Sequence, residues 1–262
     1  MTTSLDTPWL QTHIKFPDWQ AAEQLAISHL RPHLATAKHL TGWHFIRKGQ
    51  WWRLRYHQHP DATTEADTIL AQVPGIQWQH GIIYEPETHA FGGPVAMDIA
   101  HSLFHADSRQ ILDHLARTRH HRDDRREMAL LLMTALMRGA AQDWYEQGDV
   151  WAKITTDRPT TPSQLGRLDA VKVTLKPFLT VDTGPDATLV TTGRLANAAP
   201  WLDAFATAGR QLHQSAQNGH LSRGLRAVLA HHALFHFNRL GIPHAAQALL
   251  ALGAKEVVFE EK

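Results

Sequence analysis

Two aromatic runs near the start of the chain carry the residues best suited to chemistry. GWHFIRK (42–48) and WWRLRYH (51–57) alternate in polarity and are separated by Gly49-Gln50, and a two-residue Gly-X loop between such runs predicts a β-hairpin. The length of the loop fixes the register of the two strands. That register predicts three cross-strand pairs, which are Lys48 with Trp51, Ile46 with Arg53 and His44 with Arg55.

Because side chains on a strand point alternately to two faces, the hairpin divides its side chains into two sets. The mostly apolar set, which should pack on helices, comprises Trp43, Phe45, Arg47, Trp52, Leu54 and Tyr56. The basic set comprises His44, Ile46, Lys48, Trp51, Arg53 and Arg55. Paired arginines suit a carboxylate, since each guanidinium offers a planar fork of N–H donors. The basic set therefore indicates an anion site, although a solvated basic sheet face explains the pattern equally well.

A second group of ionisable side chains lies in the segment HHALFHFNRLG (231–241). At about 100° per residue, His236 shares a helical stripe with Leu229, so it should point towards the core. His232 and Arg239 follow on the same stripe. A single core histidine is more often a hydrogen-bonded structural residue than a catalyst, but a second ionisable group on that stripe favours a function.

A third segment joins a predicted strand to a predicted helix. Tyr84-Glu85 ends the strand, Gly92-Gly93 permits a close backbone approach, and Pro94 opens a helix whose unpaired N–H groups can bind an anion. This Gly-Gly-Pro pattern is weak evidence, because the glycines can equally serve only the turn.

Composition argues against several functional classes. The 262 residues carry 26 Lys+Arg against 25 Asp+Glu, a balance unlike that of a dedicated nucleic-acid or membrane-surface binder. The chain has no cysteine, which excludes disulfides and thiolate chemistry. Its 20 histidines do not follow the spacing of metal motifs, so no metal site is expected. With neither a signal-peptide pattern nor an apolar run of membrane-spanning length, we expect a cytoplasmic protein.

The elements that position these residues begin with a small sheet. The patterns of the first third predict a strand, a helix, the hairpin, a helix and a strand, which is the order of a split βαβ or ferredoxin-like sheet. Apart from the hairpin, these elements are a strand at 12–16, a helix at about 18–38, a helix at 63–72 and a strand at 76–85.

The remainder of the chain is predicted to be helical. Helices are expected from Pro94 past Leu115, after a cap at Asp123 with a buried run from Met128 to Met137, and at about 194–217, 221–240 and 243–254. The stretches 155–166 and 181–193 are predicted to be loops. The fold class is therefore α+β, a small antiparallel sheet followed by a helical bundle packed on it. We expect one domain over 1–262, with its sheet part at about 9–90 and its helical part at about 93–258.

Several of these stretches together resemble a known family. FIRK followed by WWRLRY, the pattern YEPET-x-x-FGGP-x-x-M-x-x-A-H-x-LFHADS, DRRE with EQGDVW, and HFNRLGIP are similar to the thiopeptide-type bacteriocin biosynthesis proteins. This is the family of the lantibiotic dehydratase C-terminal domain. The similarity extends from Trp9 nearly to the end of the chain.

The resemblance implies a lyase that modifies a ribosomal precursor peptide. A separate tRNA-dependent protein would glutamylate Ser or Thr of the precursor, and this chain, as a stand-alone component without a cofactor, would eliminate the glutamate to leave dehydroalanine or dehydrobutyrine. One alternative is a pyridine synthase of thiopeptide biosynthesis, which joins two dehydroalanines in a formal [4+2] cycloaddition. Another is a non-catalytic module that binds the precursor or the partner. No direct contact with nucleic acid or membrane is expected, and a homodimer is compatible with the sequence.

The resemblance also implies which residues act. The family's essential residues are the two arginines of the second hairpin strand and the histidine two before Asn-Arg, which correspond here to Arg53, Arg55 and His236. We expect His236 to face the same cavity as the arginines and to supply the acid or base. The residues expected to bind substrate are His44, Lys48, Trp51, Tyr84 and Arg239.

One position departs from the family pattern. Many eliminating members have an arginine just before the aromatic-Gly-Gly, where this chain has Ala90. Either another basic residue supplies the missing charge or the protein does something other than eliminate glutamate. The candidates for this substitution are Arg47, Lys48 and Arg239.

Overall fold

Two compact units make up the described part of the chain. The computed structural model describes residues 9–18, 20–48, 51–59, 65–119 and 123–260. The sheet unit comprises the described residues within 1–86 and 104–121, and the helical unit those within 87–103 and 122–262. Gly49-Gln50, the predicted hairpin turn, lies outside the described residues. The predicted α+β class is confirmed, with the strands first in the chain and most helices after them.

The sheet unit is built on four antiparallel strands. They are β1 (Leu10–Lys15), β2 (Leu40–Lys48), β3 (Trp51–Gln58) and β4 (Gln77–Ile82), paired in the order β2-β3-β1-β4. Three short helices lie between them in the chain, namely α1 (Ala22–Leu25), α2 (Arg31–Thr36) and α3 (Glu65–Ala71). A π-helical turn, Ala26–Leu30, joins α1 to α2. The predicted order of strands and helices is thus confirmed.

The hairpin of β2 and β3 has the predicted register. Its ladder pairs Lys48 with Trp51, Ile46 with Arg53 and His44 with Arg55. The apolar members of the core-directed set are all buried, namely Trp43, Phe45, Trp52, Leu54 and Tyr56. Because one face of the sheet is buried, a slip of one residue would expose every core side chain, which is why the period-two pattern specifies the register so well.

The free edge of β2 is covered by α4 (Pro94–Thr118). An uncovered edge strand would expose backbone donors and acceptors to pairing with another chain. The backbone N–H of Phe45 donates to Ser108 Oγ (3.2 Å). His105 Nδ1 lies 3.0 Å from the backbone N and 2.9 Å from the backbone O of Trp43. Side chains of α4 therefore form hydrogen bonds with backbone groups of β2, which is an edge strand of the sheet.

The helical unit contains the remaining helices. They are α5 (Arg125–Gly139), α6 (Trp144–Asp157), α7 (Pro162–Leu165), α8 (Leu168–Thr180), α9 (Thr188–Thr191), α10 (Ala199–Gln217), α11 (Leu225–Leu240) and α12 (His244–Phe259). The run from Met128 to Met137 in α5 is buried throughout, as its apolar pattern predicts. Within the described ranges, no helix is long and apolar enough to cross a membrane.

Close packing of α5 on α10 depends on a glycine. A Cβ on Gly209 would lie 2.2 Å from the carbonyl oxygen of Leu136, closer than any side chain can approach a backbone atom. Only glycine fits at this crossing. The backbones of α5 and α10 therefore approach each other closely at this position.

The sequence misplaces several helix boundaries. α6 extends to Asp157 and α7 lies at 162–165, both inside the predicted loop at 155–166, and α9 lies inside the loop predicted at 181–193. The N-cap of α5 is Asp124, whereas Asp123 Oδ1 accepts from the N–H of Arg125 (3.2 Å). α10 and α11 start a few residues later than predicted, and α12 extends to Phe259, so the final residues of the described chain are helical.

Two helices, α6 and α8, lie where the sequence analysis predicts no element. The β-branched residues of α8 lower the local helix propensity and obscure the helical period. The helix is stabilised by packing on α12, where a Cβ on Gly253 would lie 2.9 Å from Leu175 and 3.1 Å from Val171. Tertiary packing therefore overrides a weak local signal.

Candidate functional site

Three strands of the sheet contribute to one face that we call the basic face. Three cross-strand rows define it, which are Lys48–Trp51–Lys15, Ile46–Arg53–His13 and His44–Arg55–Gln11. The hairpin contributes the residues that its pattern predicts, and Arg53 and Arg55 share this face as expected. The contribution of β1 is missed by the sequence analysis. The alternation of Gln11, His13 and Lys15 with apolar neighbours was the signal that could have found it.

Arg55 is buried and held in a fixed orientation. Its Nε–H donates to Gln11 Oε1 (2.8 Å), and its guanidinium carbon lies 4.2 Å from the centre of the Tyr84 ring. A cation over an aromatic face is stabilised by the ring quadrupole. The structure thus brings Tyr84, expected to bind substrate, directly against one of the two expected catalytic arginines.

Arg53 is half-buried and differs from Arg55 in its hydrogen bonding. Its Nε is buried and makes no hydrogen bond to any residue of the described chain. A buried N–H of a charged group without an acceptor is costly unless a ligand supplies one. The Nε–H of Arg53 is therefore a donor on the basic face that is available to a ligand.

His13 lies in the same row as Arg53 and is coupled to Arg55. Since the oxygen of the Gln11 amide accepts from Arg55, its nitrogen faces His13 and donates to Nε2 (3.2 Å). Burial lowers the pKa of His13, and the charges of Arg53 and Arg55 lower it further. The imidazole is thus neutral at physiological pH, with a nitrogen that can take up a proton.

His44 lies beneath aromatic rings instead of on an open surface. It is fully buried, with the Trp9 ring 4.9 Å and the Phe104 ring 5.3 Å from its own. Together with buried Arg55, it makes this part of the face unlike a solvated basic surface. Lys48 is exposed and Trp51 half-buried, so both keep accessible area at the other end of the face.

Arg47, a proposed substitute for the arginine missing at position 90, lies on the opposite face of the sheet. Its Nη1 donates to Glu23 (2.8 Å), and its guanidinium stacks 4.5 Å from the Trp52 ring. The cation is thus paired with a carboxylate on the core-directed face, where the alternation of the strand predicts it. The carbonyl oxygen of Ala90 itself accepts from Arg223 (2.8 Å), an arginine that the sequence analysis did not consider.

In the helical unit, His232, His236 and Arg239 form a buried stripe along α11. Each is about 1% exposed, which confirms that this stripe faces the core. The ring of His236 lies 4.9 Å from that of Phe205 and 6.1 Å from that of Trp201, both on α10.

The Gly-Gly segment before α4 serves a tight turn. Gly92 and Gly93 have φ values of +95° and +109°, a region that other residues rarely adopt. The carbonyl of Gly92 accepts from the N–H of Ser222 (2.9 Å), and a Cβ on Gly92 would lie 3.0 Å from Val228. Phe91 is fully buried against the rings of His231 and His232. The turn and its packing therefore explain both glycines, and Pro94 begins α4 as predicted.

The predicted site residues thus fall into two groups. His44, Lys48, Trp51, Arg53, Arg55 and Tyr84 belong to the sheet unit, and His236 and Arg239 to the helical unit. That both groups serve one substrate stays a prediction. Across the described ranges, no cluster of three or more His, Asp or Glu side chains is arranged to hold a metal ion.

Comparison with solved structures identifies similar folds, among them those of MibB, TsrL and TbtD. The tRNA-dependent lantibiotic dehydratase MibB from Microbispora sp. 107891 matches with a TM-score of 0.66 and 17% identity, over 98% of this chain and 28% of that chain. TsrL matches with a TM-score of 0.65 and 17% identity, over 95% of each chain. TbtD, the pyridine synthase from thiomuracin biosynthesis, matches with a TM-score of 0.67 and 13% identity, over 95% of this chain and 97% of that chain. This chain therefore spans 28% of MibB but nearly all of the other two.

A search of the curated protein sequences finds no match. The sequence model of one family, described as lantibiotic biosynthesis dehydratase C-term, matches residues 9–258. That range contains all of the basic face and all of the buried stripe of α11. The chain belongs to the family of the lantibiotic biosynthesis dehydratase C-terminal domain.

Proposed function

We propose that this protein is an enzyme of ribosomal peptide natural-product biosynthesis that eliminates glutamate from glutamylated Ser or Thr. The observation that carries the proposal is the pair of arginines on the basic face, one fixed by Gln11 and Tyr84 and the other with a buried N–H to spare. Such a pair suits a carboxylate, which is the leaving group of this reaction. Family membership supports the same class of chemistry.

The elimination requires a base and a cationic pocket. The base takes the α-proton of the modified residue, the electron pair of that C–H bond forms the Cα=Cβ double bond, and the Cβ–O bond breaks. Glutamate leaves as a carboxylate that carries the electron pair of the broken bond. Arg53 and Arg55 stabilise the negative charge as it develops, which is most effective when the donors are already oriented.

Two histidines are proposed for proton transfer, on different grounds. The family resemblance assigns the acid or base to His236. His13 has a lowered pKa, pairs with Arg53 across the sheet and accepts from Gln11, so it is proposed to accept a proton at the basic face. His44, Lys48, Trp51, Tyr84 and Arg239 are proposed to bind the peptide, without a cofactor. The glutamate would be attached beforehand by a separate tRNA-dependent protein.

A second candidate is the formal [4+2] cycloaddition of a pyridine synthase. Two observations favour it. Ala90 replaces the arginine found in many eliminating members, and the fold extends over nearly the full length of TbtD but only 28% of MibB. A purely non-catalytic module is the weakest candidate, because Arg53, Arg55 and His236 are all retained.

Co-expression with a precursor peptide and a glutamylating partner tests the proposal. Mass spectrometry detects each retained glutamyl ester as an adduct, so Arg53→Ala and His236→Ala should accumulate glutamylated precursor while the wild type yields dehydrated peptide. Arg31→Ala is the matched control, since Arg31 forms only a surface ion pair with Asp113. If the wild type also accumulates glutamylated precursor, elimination is the wrong activity, and a peptide with two dehydroalanines should be tested for cycloaddition.

A further inference from the structure

A cavity of about 610 Å³ in the helical unit is bordered by two arginines that the proposed elimination does not use. Arg158 follows the end of α6, and Arg223 lies just before α11. α11 contributes four lining residues, namely His231, Leu234, Phe235 and Asn238. The volume lies within the range of small-ligand sites, which is roughly 300–1,000 Å³.

The lining residues of α11 lie on a different side of the helix from His236. They occupy positions i, i+3, i+4 and i+7, so they form a continuous stripe. At about 100° per residue, this stripe is centred roughly 120° around the helix from the buried stripe of His232, His236 and Arg239. The cavity therefore uses side chains of α11 that the proposed function leaves unassigned.

Both arginines are oriented by neutral acceptors. Arg223 Nη1 donates to the carbonyl oxygen of Ala90 (2.8 Å). Arg158 Nε donates to Gln247 Oε1 (2.9 Å), and its Nη1 donates to the carbonyl oxygen of Asp157 (2.9 Å). Neither guanidinium has a carboxylate partner among the residues that the structure describes. Since each carries five N–H donors, both keep donors for a ligand.

The acidic side chains near the cavity do not cancel the positive charge of its two arginines. Glu87 is engaged by His231 Nε2 at 2.9 Å. Asp157 also lines the cavity, but its side chain is exposed to solvent, so the lining contains two arginines and one carboxylate.

By contrast, a larger cavity of about 1,040 Å³ in the same unit has a half-buried arginine, Arg138, which donates to two backbone carbonyls and faces Asp182. Its second arginine, Arg210, is paired with Asp203. Of these two cavities, the smaller one has more arginines than carboxylates in its lining.

We propose that this cavity binds a side-chain carboxylate of an acidic peptide. Two oriented guanidiniums match the two oxygens of a carboxylate. Leu234 and Phe235 provide apolar contact for the neighbouring aliphatic groups of the peptide. An RNA phosphate backbone is a poorer fit, because the cavity offers only two arginines and the whole chain has a formal charge of only +1.

Nuclear magnetic resonance of the arginine side chains tests this site directly. Protein with ¹⁵N-labelled arginine is titrated with the capped dipeptide acetyl-Leu-Glu-amide and, separately, with acetyl-Leu-Gln-amide. The Nε–H signals of Arg158 and Arg223, assigned from Arg158→Gln and Arg223→Gln, should shift saturably with the Glu peptide. The Gln peptide should bind at least about tenfold more weakly, since it lacks the charge.

Two arginine variants and an RNA ligand test whether the carboxylate binds in this cavity. Arg223→Gln should weaken binding of the Glu peptide about tenfold or more, whereas Arg126→Gln, which removes an exposed arginine elsewhere in the same unit, should leave it unchanged. Because the signals are read in the wild type, a variant that fails to fold does not remove the test. Equal binding of both peptides, equal loss in Arg126→Gln, or tighter binding of a five-residue oligouridylate at these signals would each overturn the proposal.

Discussion

The basic face of the sheet and the buried stripe of α11 both hold ionisable side chains, but different forces orient them. On the sheet, the cross-strand register decides which residues are neighbours, and hydrogen bonds from Arg55 through Gln11 to His13 fix their orientation. On α11, packing against the aromatic rings of α10 surrounds His236. The register of the hairpin is a local property of the chain, whereas the pairing of β1 with β3 and the aromatic packing around His236 depend on residues far apart in sequence. The sheet should therefore respond to charge and hydrogen-bond changes, and the helical unit to changes in volume.

The largest expected effect is on the basic face. Replacing Arg55 by Ala should lower the elimination rate about a hundred- to thousandfold, because one oriented charged donor is typically worth about 2.7–4 kcal/mol of the barrier. Arg55→Lys keeps the charge but loses the planar fork, so it should recover only part of the rate. Single-turnover assays on a glutamylated peptide measure both, with Arg31→Ala as control. Full activity of Arg55→Ala would contradict the proposed role of the face.

In the helical unit, the largest expected loss of stability comes from adding a methyl group at Gly209. Gly209→Ala places a Cβ against the Leu136 carbonyl at the α5–α10 crossing, and overpacking of this kind costs about 1–3 kcal/mol. At roughly 2–4 °C per kcal/mol for a chain of this length, Tm should fall by several degrees in a calorimetric scan. Gly224→Ala is the matched control, since no atom lies within 4 Å of its Cβ position. Equal Tm values for the two variants would refute the packing argument.

A smaller effect is expected at Gln11, which links the two sides of the basic face. Gln11→Ala leaves the buried Nε–H of Arg55 without its acceptor. The free energy of unfolding should fall by an amount near the lower end of about 1–3 kcal/mol, because Tyr84 still covers the guanidinium. Denaturant unfolding measures it, and exposed Gln79 supplies the control variant Gln79→Ala. A larger loss in the control than in Gln11→Ala would exclude this role.

The smallest effect is a shift in the titration of His13. The positive charge of Arg53 disfavours the imidazolium, so Arg53→Gln should raise the pKa of His13 towards its ordinary value. The remaining burial and the charge of Arg55 should still keep it below that value. Titration of the His13 ring by NMR measures the change, and an unaltered pKa would mean that Arg53 does not face His13.

These regions also differ in how far the sequence predicts them. The pairing of Arg53 with Ile46 and of Arg55 with His44 follows from alternation and loop length alone, because both are local. The contribution of His13 is missed, since which strand lies beside β3 depends on the order of the whole sheet. Similarly, the stripe of His236 is predicted by helical periodicity, but its aromatic neighbours Trp201 and Phe205 are not. α8 is missed because packing on α12 stabilises a segment of low helix propensity.

The most direct test of the central claim uses purified protein and a synthetic peptide that carries a glutamyl ester on one Ser. The wild type should release free glutamate and form dehydroalanine in equal amounts, and Arg53→Ala should slow both about a hundredfold or more. Arg31→Ala should match the wild type. Absence of glutamate release by folded wild-type protein, or release that Arg53→Ala leaves unchanged, would contradict the assignment of the basic face as the site of elimination.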